Sequence, residues 1–184
     1  MSERTGAWAW RDEAPGRDRW LGTDASSCPA SSIEPLTGDA GRLKREIAKL
    51  RADGMTAGHI GVAWAWYLIS PEWASVWPAA SRPHDYGAPH TKKAVILMTD
   101  GAFNTEFARG QGNSAAQAKK LCRKMRDEGI IVYAVAFDAP WQAKRTLENC
   151  AGGEGRYFEA ENGDELKAAY RAIASQLSNL ALTE

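Results

Sequence analysis

Two stretches of the chain are apolar without a break, and the segments around them alternate in helical rhythm. Ala94-Val95-Ile96-Leu97-Met98 runs between Lys92-Lys93 and Thr99-Asp100-Gly101, and Ile130-Ile131-Val132-Tyr133-Ala134-Val135-Ala136-Phe137 follows directly on Gly129. Short uninterrupted apolar runs bounded by turn formers predict strands buried on both faces of a parallel sheet. Between them Ser114 with Gln117 has the spacing of a capping box ahead of Ala118, Leu121, Cys122 and Met125, and Gly129 closes the predicted helix. Pro140 suits the first turn of a further helix carrying Ala143 and Leu147, ended by Gly152-Gly153. Tyr157-Phe158 predicts a short strand, and Asp164 to Leu182 an amphipathic helix through Leu166, Tyr170, Ile173, Leu177 and Leu180. Strand, helix, strand, helix, strand, helix in that order predicts an α/β sheet with right-handed crossovers.

Upstream the pattern is more varied. Leu43, Ile47 and Leu50 recur at helical spacing after Asp39, with Gly54 as the expected stop. Ile60, Ala63, Trp64, Tyr67 and Leu68 predict a second helix that begins after Gly58 and ends at Ser70-Pro71. Residues 71–91 hold prolines, two Trp and two His and are expected to form a long loop. Ile33-Glu34-Pro35-Leu36-Thr37 alternates and reads as a short edge strand, where Pro35 is tolerated. Residues 1–32 match neither the strand nor the helix period, so the expected division is an irregular extension, 1–32, followed by an α/β domain, 33–182.

Composition narrows the function classes. The 184 residues carry 23 Lys plus Arg against 23 Asp plus Glu, which gives no electrostatic case for nucleic acid or an anionic membrane as the main partner. No stretch approaches the ~18 consecutive apolar residues of a spanning helix. The first residues lack the basic-then-apolar order of a signal peptide, and taken as written predict a product that stays in the cytoplasm. Cys28, Cys122 and Cys150 are too few for a disulfide scaffold and too scattered for a zinc knuckle.

Ligands in open α/β sheets collect beyond the carboxyl ends of the strands, which singles out Asp100. The competing reading is a turn cap with Gly101. Thr56, in the glycine-flanked segment Asp53-Gly54-Met55-Thr56-Ala57-Gly58, is either a site hydroxyl or a helix cap. Asp138 ends the second apolar run and either joins Asp100 or caps the helix after Pro140. His84 and His90 read as solvated, and His59 as helix surface unless it reaches the rim near Thr56. Gly110-Gln111-Gly112-Asn113-Ser114 precedes a helix and has the composition of a phosphate loop, yet it stands far from its strand and reads as a flexible loop. Trp73, Trp77 and Tyr86 are candidates for an exposed partner-contact surface; the alternative is that the loop folds over the sheet and buries them.

Taken together, Gly54-Met55-Thr56 before a helix and an apolar strand ending Leu97-Met98-Thr99-Asp100-Gly101 resemble the second half of a von Willebrand factor A domain, a Rossmann-like α/β fold. Several further stretches are similar to the C-terminal region of TadG-like proteins of the tight-adherence (Flp) pilus: Cys28-Pro29, Ile33 to Thr37, Gly61-Val62-Ala63-Trp64-Ala65-Trp66, Leu97 to Thr105, Ala118 to Cys122, and Leu147-Glu148-Asn149-Cys150-Ala151. The resemblance implies a metal-ion-dependent adhesion site in which Thr56 is the loop threonine and Asp100 the aspartate. It also implies a protein partner from the pilus or cell envelope and a periplasmic or envelope location. A bridge between Cys122 and Cys150 is implied as well, with two buried thiols as the alternative.

The family's Asp-x-Ser-x-Ser is absent, and Asp24-Ala25-Ser26-Ser27 has the wrong spacing. The expectation is therefore an N-terminally incomplete domain without its first, central strand and without the membrane anchor of the resembled proteins. It would hold Mg²⁺ or Mn²⁺ only if the missing motif were supplied. The chain is expected to be a non-enzymatic, protein-binding module. The alternative is a nucleotide-binding α/β protein or a hydrolase using Asp100, for which no Walker, Gly-x-Gly-x-x-Gly or Gly-x-Ser-x-Gly fingerprint is present.

Overall fold

In the computed structural model, residues 32–51, 56–106 and 110–182 are described; the expected extension lies almost wholly outside them, as does Gly54. Helix α1 spans Ala40–Lys49 and α2 spans Gly58–Ile69. Two single-turn 3-10 helices, Pro71–Trp73 and Ala79–Ser81, punctuate the loop that leads to strand β1, Ala94–Thr99. Then come α3 (Ser114–Asp127), β2 (Ile131–Phe137), α4 (Trp141–Ala151), β3 (Tyr157–Ala160) and α5 (Gly163–Leu182).

The described strands form one parallel sheet in the order β1-β2-β3, a Rossmann-like arrangement. Helices α2, α3 and α4 cover one face, where Val95, Leu97, Val132, Ala134 and Ala136 meet Val62, Trp66, Cys122, Met125 and Leu147. Helix α5 covers the other, with Ala169 and Ile173 over Tyr133 and Val135. β2 is buried on both faces because it lies in the middle and has helices above and below.

β1 departs from expectation. Val95 and Leu97 are buried, but Ile96 is 38% and Met98 52% exposed, because α5 crosses β2 and β3 and stops short of β1. A continuous apolar run is thus buried on one face only. Residues 33–37 form no strand: they run as irregular chain, tied to α1 by a 2.7 Å ion pair from Glu34 to Arg42. Pro35 removes a ladder donor, and no described strand lies alongside.

Caps account for the helix boundaries. The Asp39 carboxylate accepts from Arg42 N at 2.9 Å and starts α1, none of whose residues is buried. The cap of α3 is Asn113, one residue before the expected Ser114, and its side chain accepts from Ala116 N at 2.9 Å. Ser114 is left to turn inward and Gln117 to bond the Gly112 carbonyl at 2.7 Å. Gly129 and Gly152 close α3 and α4 at φ +78° and +63°, where a Cβ is strained.

Cys122 of α3 and Cys150 of α4, both fully buried, are joined by a disulfide with their Cα atoms 5.0 Å apart. The bond fastens together the two helices that flank β2 in sequence.

Candidate functional site at the strand ends

The carboxyl edge of the sheet is assembled by two loops that grip each other. The loop after β1, residues 100–106, lies against the segment that enters α2. Asn104 does most of the joining. Its side-chain oxygen accepts from Thr56 N at 3.0 Å, its own N–H donates to Thr56 O at 3.1 Å, and Thr105 N donates to the same carbonyl at 3.3 Å. The Thr105 hydroxyl closes the knot on Asn104 Oδ1 at 3.1 Å. Each backbone polar group of Thr56 is therefore satisfied by a residue that follows β1 by only a few positions.

Phe103 supplies the packing. Its ring lies over the first turn of α2 so closely that a Cβ on Gly58 would stand 2.4 Å from it. Gly58→Ala is accordingly expected to displace Phe103 and cost roughly 1–3 kcal/mol of stability. Urea unfolding of the variant measures that loss, and a midpoint equal to that of the parent chain would show that the ring has room to move.

The two residues singled out by sequence come together at this knot. A methyl group on Gly101 would lie 3.3 Å from Thr56 Oγ1, so the Thr56 hydroxyl abuts the backbone immediately after Asp100. Neither side chain is consumed in the turn-capping roles that competed for it. The cap position of α2 is Ala57, and no side chain bonds there. The turn after β1 is held by Thr99, whose hydroxyl donates to Gly101 O at 3.1 Å and receives Gly101 N at 3.2 Å. Asp100 is exposed, and among the described residues no hydrogen-bond donor or cation meets its carboxylate.

Asp138, exposed at φ +42°, stands at the same edge of the sheet beyond β2, with its N–H on Ala160 O at 2.8 Å. It is not the cap of α4, a position taken by Pro140.

The other candidates fall elsewhere. His59 is neither rim nor helix surface: it is fully buried, with Nδ1 2.9 Å from Ser114 Oγ, and burial lowers its pKa to about 4. It pins the first turn of α2 to that of α3. His84 and His90 are exposed loop residues, and no cluster of three or more His, Cys, Asp or Glu suited to a metal occurs among the described residues. The segment Gly110 to Asn113 spends its polar groups on α3: Asn113 caps it, and the Gly112 and Gln111 carbonyls accept from Gln117 and Lys120.

Trp73, Trp77 and Tyr86 are half-buried against α2 rather than buried over the sheet. Trp73 stacks on Tyr67 with centroids 3.9 Å apart, and the Trp77 indole donates to Tyr67 O at 2.8 Å. Trp64 meets Tyr67, Trp73 and Trp77 edge-on. The Tyr86 hydroxyl accepts from the Trp66 indole at 2.8 Å, and its ring carries the Lys93 ammonium at 4.8 Å. All three are half-buried, because the long loop needs its aromatic residues to hold it onto α2.

Asn104 went unassigned as a positioning residue in the sequence, although it lies within Thr99-Asp100-Gly101-Ala102-Phe103-Asn104-Thr105. Its role depends on a partner 48 positions away, which no local pattern reports.

The chain matches no curated protein at a significant level. The family model of the von Willebrand factor type A domain matches residues 77–172, a stretch that runs from within the aromatic loop into α5 and contains Asp100 but not Thr56. That match covers just over half of the chain and carries the whole parallel sheet, so the protein belongs to the von Willebrand factor type A domain family.

Proposed function

We propose that this chain is a non-enzymatic, protein-binding domain of a tight-adherence (Flp) pilus assembly protein, and that it engages an envelope or pilus partner through the strand-end rim. Domains of this family are generally interaction modules, which supports the coarser part of the reading. The choice of the rim is supported by two side chains with oxygens left over from folding, Thr56 Oγ1 against the backbone of Gly101 and the neighbouring Asp100 carboxylate, and the pilus part of the reading rests on the resemblance to TadG-like proteins alone. A hydroxyl and a carboxylate beside a hydrogen-bonded loop knot suit either a cation or a polar group of a partner protein.

The chemistry of the two donors suits a hard divalent cation, but their number does not. Mg²⁺ takes about six oxygen ligands, and a site that offers one carboxylate and one hydroxyl leaves about four of them to water. Without an Asp-x-Ser-x-Ser in the chain, the metal-dependent mode of adhesion is unsupported here, and recognition rests on the protein's own polar groups. Isothermal titration with Mg²⁺ or Mn²⁺ should therefore give no saturable heat in the micromolar range. A micromolar affinity would show that the residues outside the described set supply the missing ligands.

For the partner, a photo-crosslinking residue placed at Ala102, in the loop after β1, should capture an envelope or pilus protein in piliated cells. Asp100→Ala should abolish that capture. Capture unaffected by Asp100→Ala would move the binding surface away from the rim. The competing reading, an enzyme using Asp100 with a histidine, would need an imidazole other than His59, which is fully buried against Ser114. Among the described residues no helix is long and apolar enough to cross a membrane.

A further inference from the structure

Five asparagines occur in the chain, and only Asn162 is followed by glycine. The side-chain carbonyl carbon of an asparagine and the backbone nitrogen of the next residue can close a five-membered ring. A Cβ on that next residue shields the nitrogen and restricts its backbone, and glycine has none. Whether Asn162 and Gly163 are left able to react is decided by the fold.

The pair lies between the end of β3, at Ala160, and the start of α5, at Gly163. Both residues are exposed. The Gly163 N–H meets no acceptor among the described residues, so the attacking nitrogen is open to hydroxide. The carbon under attack is activated by the chain itself. Asn162 Oδ1 accepts from Asp164 N and from Glu165 N, both at 3.1 Å, and two donors on one carbonyl oxygen stabilise the oxyanion that attack creates. Asn162 Nδ2 donates to Glu165 Oε1 at 2.8 Å, which holds the leaving nitrogen against a carboxylate. Glu165 is fixed there by Glu161 N, which donates to its Oε2 at 2.7 Å.

We propose that Asn162 is a site of spontaneous deamidation in the folded protein, with water as the only co-reactant. Hydroxide takes the Gly163 amide proton, and the nitrogen attacks Asn162 Cγ. The N–Cγ bond forms, the Cγ–Nδ2 bond breaks, and ammonia leaves with a proton drawn from water. Water then opens the cyclic imide. Opening at Cγ gives aspartate, and opening at the backbone carbonyl carbon gives an isoaspartyl linkage; an amide has become a carboxylate in both, with no oxidation or reduction.

The two products act differently on α5. Aspartate keeps the oxygen that caps Asp164 N and Glu165 N, but it sets a carboxylate against Glu165 where Nδ2 had donated. An isoaspartyl linkage routes the main chain through the former side chain and removes the cap, and loss of an N-cap favours the unfolded state by about fivefold. Either product adds a negative charge beside Glu161 at the strand-end edge of β3. The reaction depends on the dipeptide and its hydrogen bonds, not on any partner at the rim.

Asn113 supplies the internal comparison: it also caps a helix, accepting from Ala116 N, but the next residue is Ser114, which carries a Cβ.

The test holds the full chain at mildly alkaline pH without denaturant and maps its peptides by mass spectrometry, with isoaspartyl methyltransferase labelling to report the isomer. Position 162 should convert first, and Asn113 at least about tenfold more slowly. In Gly163→Ala conversion should fall by a similar factor. A Cβ on Gly163 meets nothing within 4 Å and its φ is not positive, so this variant folds, as circular dichroism melts should confirm. The aged parent chain should melt below the fresh one, and aged Gly163→Ala should be unchanged. Conversion at 162 confined to the urea-unfolded chain overturns the proposal, as does equal conversion of Asn113 or a Gly163→Ala variant that converts as fast as the parent.

Discussion

Replacing Cys122 and Cys150 together by alanine is expected to lower the free energy of unfolding by about 3–4 kcal/mol. The bond closes a loop between residues 28 apart, and its main effect is to remove conformations from the unfolded chain. Against a total of roughly 5–15 kcal/mol for an ordinary domain, that is a large share. Urea unfolding with and without reductant checks it: the parent chain should lose its advantage when reduced, and the double variant should be indifferent to reductant. Equal midpoints for all four samples would mean that the α3 and α4 packing holds the native state without the bond. The sulfurs lie beneath Ala118 and beside Leu147, so the reduced form also loses close packing in the centre of the α2, α3 and α4 layer.

Acid should weaken the fold through His59. Its imidazole is fully buried and its pKa falls from the ordinary 6.5 to about 4, with burial as the cause. The folded state thus resists a proton that the unfolded state accepts. Full stability is present above pH 6.5 and is lost as the pH falls from 6.5 towards 4, the loss reaching roughly 3 kcal/mol at the lower end. Thermal melts from pH 7.5 to 4 measure this, and His59→Gln, which keeps a polar group near Ser114 Oγ, should flatten the slope in that window. An unchanged slope in the variant would assign the acid sensitivity to other groups. Glu46 and Glu159, held below the usual carboxylate range by Lys49 and Lys144, lie on the surface and weigh little here.

Disulfide and histidine act on the same assembly. Ser114 receives His59, Cys122 carries the bridge, and both belong to α3. α3 is thereby fixed to α2 at its start and to α4 in its middle. Since α2 begins just after Thr56, whatever holds its first turn also holds the rim. Loss of either tie should loosen Thr56 before it disturbs α5, which packs on the opposite face.

The element order was legible because each element declares itself locally. The run from Ile130 to Phe137 is short, rich in β-branched and aromatic residues and preceded by Gly129, which favours a strand, Gly129 and Gly152 can end helices at positive φ, and the helical spacing of Leu166, Tyr170 and Ile173 describes α5. The Asn113 cap was missed by one residue because Ser and Asn are interchangeable caps, and only the inward turn of Ser114 toward His59 decides between them. The edge strand at residues 33–37 failed because alternation shows what a strand needs and not whether a neighbour exists to pair with.

The amino-acid order alone determined the parallel α/β character and the glycine ends of α3 and α4, while the choice of Thr56 and Asp100 as a pair came from the resemblance to the von Willebrand factor A domain. It did so because hydrophobic period, glycine conformation and motif spacing are properties of neighbouring residues. Tertiary structure decided that β1 is buried on one face only, that His59 is sealed inside, that Trp73 and Trp77 hold a loop, and that Asn104 locks the rim. Each of these depends on which distant segment arrives to cover or bond a group, and burial is a property of the pair.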